Sequence, residues 1–247
     1  ATKLKILFLV IISSFFISTE LTGYDIIKSI EDKDKPDNIK ANLTMKSIKK
    51  GKTRTSKFIS WSKNAGELQL MWFIEPRQYK GMSFLNIDNN MTMWLPSYKK
   101  IRKVSSKNKN KSFMNSDLSY ADFDIRDIDM YTYKKNDEYE LYDNQECYII
   151  ISFPKNTESS NYSKHKTWIS KNDLKPLKEI SFDQEGKPIK EKIFSYTKKD
   201  SLDIIQSLIV KNLQKNSYTT LNVENIKLNT DLNIDYFKEI NLKRIPK

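Results

Sequence analysis

From residue 42 onward the sequence is a succession of short β-prone runs separated by turn signals, and this restricts the fold more than any other feature. Runs at 42–48, 55–61, 67–74, 81–87 and 91–95 are divided by KKGKT, KNAG, EPRQYKG and DNN. Further runs follow at 130–134, 138–142, 147–153, 166–170, 178–182, 189–196, 207–213 and 219–228, the last two joined at QKNSY. This is the spacing of consecutive hairpins. About a dozen such strands predict one large antiparallel sheet, strongly curved or nearly closed. Residues 23–31 break the pattern: Tyr24, Ile27 and Ile30 recur at helical spacing before DKDKPDN ends the segment.

The strand faces carry a second signal. Leu68, Leu70, Trp72 and Ile74 share one face of their strand, while Met71 and Phe73 share the other with Gln69. A sheet wetted on one side would show one polar face. Something therefore covers both: a helix, a lid or a ligand. Neighbouring runs repeat the theme, with Met91, Met93 and Leu95 opposite Trp94, and Met82 and Phe84 opposite Leu85 and Ile87. Methionine suits adaptable apolar surfaces. Periodicity alone fits an ordinary core or a ligand hollow.

At the N-terminus Lys3 and Lys5 precede an apolar stretch, 6–17, interrupted by Ser13 and Ser14. That is the layout of a secretory signal, and its dozen residues fall short of the roughly 20 of a spanning helix. Residues 1–22 are expected to be a signal peptide, and 23–247 a single exported domain. Ile17-Ser18-Thr19 and Leu21-Thr22-Gly23 are both imperfect cleavage sites, which leaves an uncleaved anchor or a buried helix as the alternative.

The formal charge is +12. For an exported chain this points to membrane surfaces or acidic proteins as partners, not nucleic acid. The densest basic run, Lys99, Lys100, Arg102, Lys103, Lys107, Lys109 and Lys111, contains no acid. It reads as a solvated loop or as a docking surface. No catalytic constellation is visible. His165 is the single histidine and Cys147 the single cysteine, so no metal site, disulfide or cofactor is expected, and Cys147 reads as a buried thiol. The acids Asp117, Asp122, Asp124, Asp127 and Asp129 lack a calcium-loop spacing and read as caps and solvated groups.

Three adjoining stretches are more specific: DNNMTMWLP, KKIRKVSS and SFMNSDLSYADF. Together they resemble the outer-membrane lipoprotein-sorting protein family of the LolA-like superfamily. The shared features are a turn at Asp88-Asn89, a strand ending Trp94-Leu95-Pro96, a basic strand Ile101-Arg102-Lys103-Val104, and the Ser-Phe…Ser-Asp…Ser-Tyr pattern of 112–120. The late hairpin IVKNLQKNSYTTLNVENIKLN and the segment FKEINLKR are also similar to the family.

The resemblance implies a mostly β fold: an incomplete antiparallel barrel of about 11 or 12 strands, covered by a few helices that enclose a hollow for acyl chains. It implies a periplasmic carrier without chemistry. Its partners would be acylated lipoproteins or lipids, an inner-membrane extractor and an outer-membrane acceptor, and it would act as a monomer. Relatives that sense mislocalised lipoproteins and modulate a membrane-bound regulator supply the alternative. They carry a further C-terminal domain, whereas this sequence ends soon after NLKRIPK. The expected cavity residues are Phe58, Trp61, Met71, Trp72, Phe73, Phe84, Met91, Met93 and Trp94, with both strand parities represented. Phe113, Asp117, Tyr120 and Phe123 would form its rim, Asp117 and Ser119 satisfying backbone groups there. Lys99, Lys100, Arg102, Lys103 and Lys107 would dock a partner or membrane. Two departures stand out. The family's arginine before a proline after the third strand is Glu75 here, followed by Pro76 and Arg77. The glycine expected after Phe113-Met114 is Asn115, which can also take a positive φ.

Overall fold

The structure, a computed structural model, describes residues 20–157 and 160–246. Most of the expected signal segment, including Ile17-Ser18-Thr19, lies outside the described residues. Helix α1 (Gly23–Glu31) is followed by β1 (Asn38–Lys49), β2 (Lys52–Lys63), β3 (Leu68–Glu75), β4 (Ser83–Ile87), β5 (Asn90–Leu95) and β6 (Lys100–Lys103). A segment of short 3-10 turns leads to β7 (Tyr131–Lys135), β8 (Glu140–Tyr142), β9 (Gln145–Pro154), β10 (Lys164–Ser170) and β11 (Pro176–Phe182). Strands β12 (Pro188–Lys199), β13 (Leu202–Asn212) and β14 (Ser217–Leu228) complete the set, and two further 3-10 turns, Ile234–Phe237 and Glu239–Lys243, follow.

All fourteen strands of the described residues form one antiparallel sheet in the order β6-β5-β4-β3-β2-β1-β14-β13-β12-β11-β10-β9-β7, with β8 also on β9. The sheet is open. Among the described residues its ladder ends at β6 and β7, and nothing joins them into a barrel. The strand that period-2 counting leaves out is β6, whose sequence KIRK has no apolar alternation. The hairpins turn where the sequence places its turn signals. Asp88 and Asn89 both have positive φ, 47° and 62°, as a two-residue turn of the kind that matches strand twist requires.

The two apolar faces of β3 have separate covers. On the inner face, Phe58 of β2 pairs with Phe73, Ser60 with Met71, and Met71 in turn with Phe84 of β4. Over them lies a lid, residues 104–130, which inserts Phe113 and Leu118. On the outer face, Trp61, Leu70 and Leu85 pack against Leu232, Phe237 and Leu242 of a C-terminal strap. The Ser83 hydroxyl donates to the Leu242 carbonyl at 2.6 Å and ties the strap down. At the other half of the sheet, α1 covers the inner face by setting Ile26 against Ile150 and Ile169. Thr22 and Asp25 cap the helix reciprocally.

The cover thus differs in kind from the expected helices. Among the described residues there is one α-helix, and the rest of the cover is loop with 3-10 turns. The lid has no 3.6-residue apolar period. Its closely spaced serines and aspartates bond to nearby backbone instead, which favours turns over helix.

Candidate functional site

The inner face is a trough with three zones: an aromatic zone under the lid, an apolar groove beside it, and a charged zone towards α1.

In the aromatic zone Phe113 is fully buried. Its ring lies 6.0 Å from Phe73, 5.0 Å from Phe84, 5.4 Å from Tyr120 and 4.6 Å from Phe123, centroid to centroid. Phe58 stacks on Phe73 at 4.8 Å. The lid therefore fills this part of the trough with its own side chains. The turn that presents Phe113 has Met114 and Asn115 at φ 49° and 62°, so Asn115 takes the left-handed conformation that the family's glycine would.

Beyond Phe123 the trough is open. A groove of about 430 Å³ runs between β1, β2, β3, β13 and β14. Its apolar walls come from Ile39, Ala41 and Leu43 on β1, Met71 on β3, Ile204 and Ile205 on β13, and Leu221 and Val223 on β14. Phe123 closes one end.

The lid is latched by polar contacts. The Asp117 carboxylate accepts from Ser217 at 2.6 Å and Thr219 at 2.9 Å, while the Asp117 N–H donates to the Thr219 hydroxyl at 2.9 Å. Asp117 therefore does not cap a turn as expected; it fastens the lid to β14. The cap belongs to Ser119 and Asp122, which close the turn Tyr120–Phe123 reciprocally. The Phe123 carbonyl accepts from Gln69 and Asn86, and Asn89 exchanges two bonds with Ile125.

The charged zone was not foreseen. Asp122 reaches from the lid to Lys190 at 2.8 Å and Lys192 at 2.7 Å on β12. Arg126, also on the lid, makes a two-pronged contact with Glu179 on β11 at 2.8 and 3.2 Å. His165 on β10 shares a 2.8 Å hydrogen bond with Ser181. Burial alone would raise the Asp122 and Glu179 carboxyls. The cations beside them, Lys192 and Lys190 for Asp122, Arg126 and Lys192 for Glu179, outweigh it and hold both well below the usual carboxylate range. Burial pushes His165 down to about 3, against an ordinary 6.5, so it is neutral at pH 7. The sequence around β12, PIKEKIF, alternates Lys and Glu like a solvated edge. The partner carboxylate of Lys190 lies 68 residues away, which no local pattern signals.

The structure divides the nine expected cavity residues. Phe58, Met71, Phe73, Phe84, Met91 and Met93 belong to the inner cluster under the lid. Trp61, Trp72 and Trp94 lie on the opposite face, in the cluster under the strap, because each is one residue out of phase with an inner neighbour. Met71 alone of the six inner residues also lines the open groove. The walls on β1, β13 and β14 were missed: alternation marks Leu43, Leu221 and Val223 as core-facing but cannot show where cover stops.

Lys99, Lys100, Arg102, Lys103 and Lys107 are all exposed, and among the described residues none of the five makes an ion pair. Three of them sit on the edge strand β6. Glu75 is exposed too and pairs with Lys57 at 3.2 Å, away from the lid. Cys147 is buried, and burial raises its thiol. Among the described residues no helix is long and apolar enough to cross a membrane.

A family model described only as that of an uncharacterized protein matches residues 65–244. The chain belongs to that family. A DUF1329 family protein from Desulfovibrio piger is 27% identical and superposes with a TM-score of 0.83, over 89% of this chain and 97% of that one. An outer membrane lipoprotein-sorting protein domain from Vibrio parahaemolyticus is 25% identical, with a TM-score of 0.84 over 90% and 98%. A LolA superfamily protein from Nitrosomonas europaea, at 16% identity, shares the fold with a TM-score of 0.72 over 90% and 99%. No protein of curated function matches the sequence significantly. The resemblance of the sequence to lipoprotein-sorting proteins of the LolA-like superfamily is thus matched by the fold, an open antiparallel sheet with a covered inner face.

Proposed function

We propose that the protein is a periplasmic carrier that holds the acyl chains of lipoproteins or related lipids against the inner face of its sheet and performs no chemistry. The observation that carries this reading is the apolar groove of about 430 Å³ continuous with the aromatic zone at Phe123. An apolar hollow of about 150 Å³ already takes a benzene-sized guest. Each methylene hidden from water contributes about 0.8 kcal/mol, a gain that a bilayer matches. Transfer between carrier and membrane is then nearly balanced, and small differences at the docking partners set its direction. Phe113, Tyr120 and Phe123 act as a stand-in for cargo: they keep the trough dry when empty and yield to a chain that makes equivalent contacts.

Lys99, Lys100, Arg102, Lys103 and Lys107 are the proposed docking surface for an acidic partner or an anionic membrane. The similarity to a lipoprotein-sorting domain supports acylated lipoproteins as cargo.

The test is native mass spectrometry with lipid extraction of protein purified gently from a periplasm. Val223→Lys puts a charge into the groove, while Tyr218→Lys puts one on the opposite, solvent-exposed face of the same strand. Acyl lipid or acylated peptide carried by the wild type and by Tyr218→Lys, but lost from Val223→Lys, supports the carrier. An empty wild type that takes up no triacylated peptide on titration sinks it.

A further inference from the structure

The charged zone opens onto a second cavity, more polar than the groove and distinct from it. It holds about 230 Å³ where the lid crosses β10 and β12, and Arg126, Lys192, His165, Tyr131, Tyr162 and Asn110 line it. That is the space of about eight waters at liquid density.

The charges around it do not balance. Among the described residues Arg126, Lys190 and Lys192 face Asp122 and Glu179, which leaves one surplus positive charge. Both carboxylates are already engaged by cations, and both side chains are 7% exposed. His165 adds no charge at pH 7. A partly desolvated surplus cation is costly unless something of opposite sign meets it. Arg126 is the cation that remains open, its side chain 38% exposed, and it borders the cavity. It is held by Glu179 on one side and lies over the Tyr131 ring, 5.5 Å from the centroid, so its orientation is fixed before any ligand arrives. A guanidinium, an ammonium, two phenol hydroxyls and an amide form a donor-rich set suited to a tetrahedral oxyanion.

We infer that this cavity is a binding site for a phosphoryl group, as a phosphate ester or as the free ion. It is placed to serve an amphiphile. The single turn Tyr120–Phe123 puts Asp122 on the polar cavity and Phe123 on the apolar groove. A phosphorylated headgroup would sit on one side of that turn and its chains on the other. The site does not depend on the carrier reading, since free phosphate would occupy it without the groove.

The experiment is isothermal titration of the full chain with inorganic phosphate, and separately with dihexanoyl phosphatidic acid below its micellar concentration. Wild type, Arg126→Gln and Val223→Lys are compared, with far-UV circular dichroism confirming the fold. Phosphate is expected to bind the wild type and Val223→Lys equally. Arg126→Gln is expected to weaken it roughly tenfold, the scale of one lost charge-assisted hydrogen bond. If the lipid binds more tightly than phosphate and Val223→Lys removes only that increment, the headgroup is the source; equal affinities point to the free ion. Should Arg126→Gln not fold, Asn110→Trp, which fills the cavity from an exposed loop position, is expected to show the same loss. Absence of binding by the wild type, or undiminished binding in Arg126→Gln or Asn110→Trp, overturns the proposal.

Discussion

Lys192 of β12 meets Asp122 of the lid at 2.7 Å, and the same ammonium lies 3.7 Å from Glu179 on the neighbouring strand. One lysine thus links the lid to the sheet beneath it. It does so in the interior, its side chain 14% exposed, where screening by salt is weak.

Asp122→Asn would leave Lys190 and Lys192 facing a neutral amide. Breaking one side of a buried ion pair costs about 3 kcal/mol or more. Urea denaturation at pH 7 should show a loss of that size. An unchanged midpoint would mean that the lysines turn to water and that the lid is not anchored there.

Phe113→Ala removes the ring at the centre of the aromatic zone. A Phe-to-Ala change in a packed core costs about 3–5 kcal/mol. The same variant should take up a fluorescent fatty acid more readily, because the lid no longer competes for the trough. Reduced uptake in a folded variant would count against the lid as an internal stand-in for cargo.

His165 imposes a pH dependence. Its folded pKa, about 3, lies below the ordinary 6.5, so between those values the unfolded chain binds a proton that the folded chain refuses. Stability is full above pH 6.5 and is lost as pH falls towards 3, at up to about 1.4 kcal/mol per pH unit. His165→Gln should flatten the stability profile between pH 6 and 4.5. Below about pH 4, protonation of Asp122 and Glu179 removes stability in both proteins, since their folded pKa values are also depressed. Parallel profiles for His165→Gln and wild type would refute the assignment.

Reversing three exposed charges on β6, Lys100→Glu, Arg102→Glu and Lys103→Glu, should leave the melting temperature within a few degrees, because surface charges contribute little to stability. Binding to vesicles containing anionic lipid should fall sharply, and the wild-type binding should weaken with added salt. Vesicle binding that persists in the triple variant would remove the basic run as a docking surface.

The strands were legible because alternation and turn signals report directly on half-buried, twisted ribbons. Asp88-Asn89 and Asn115 were legible for a similar reason: each must bear a conformation that few residues tolerate. The assignment of Trp61, Trp72 and Trp94 was not. Both faces of β3 are apolar, and only the strap at Leu232, Phe237 and Leu242 decides which face is roofed by chain and which by lid. The lid's role was half legible. Phe113 and Phe123 announce apolar cover, whereas Asp117 looks the same in sequence whether it caps a turn or grips Thr219, 102 residues away. The charged zone was hidden because Lys190 and Lys192 flank Glu191 on a strand that reads as wet.

Strand β1 lies between β2 and β14, so residues 38–49 find one of their two neighbours in 217–228. The first half of the sheet and the second are hinged on a pairing that spans almost the whole described chain. Such a closure is slow, because its entropy must be met before the contact is made. A nascent chain therefore cannot complete its central seam until residue 228 has been synthesised, and until then the inner strand presents an unpaired edge. The topology thus makes the last long strand the keystone of the first: the two halves of the sheet join only when nearly all of the described chain is available to fold.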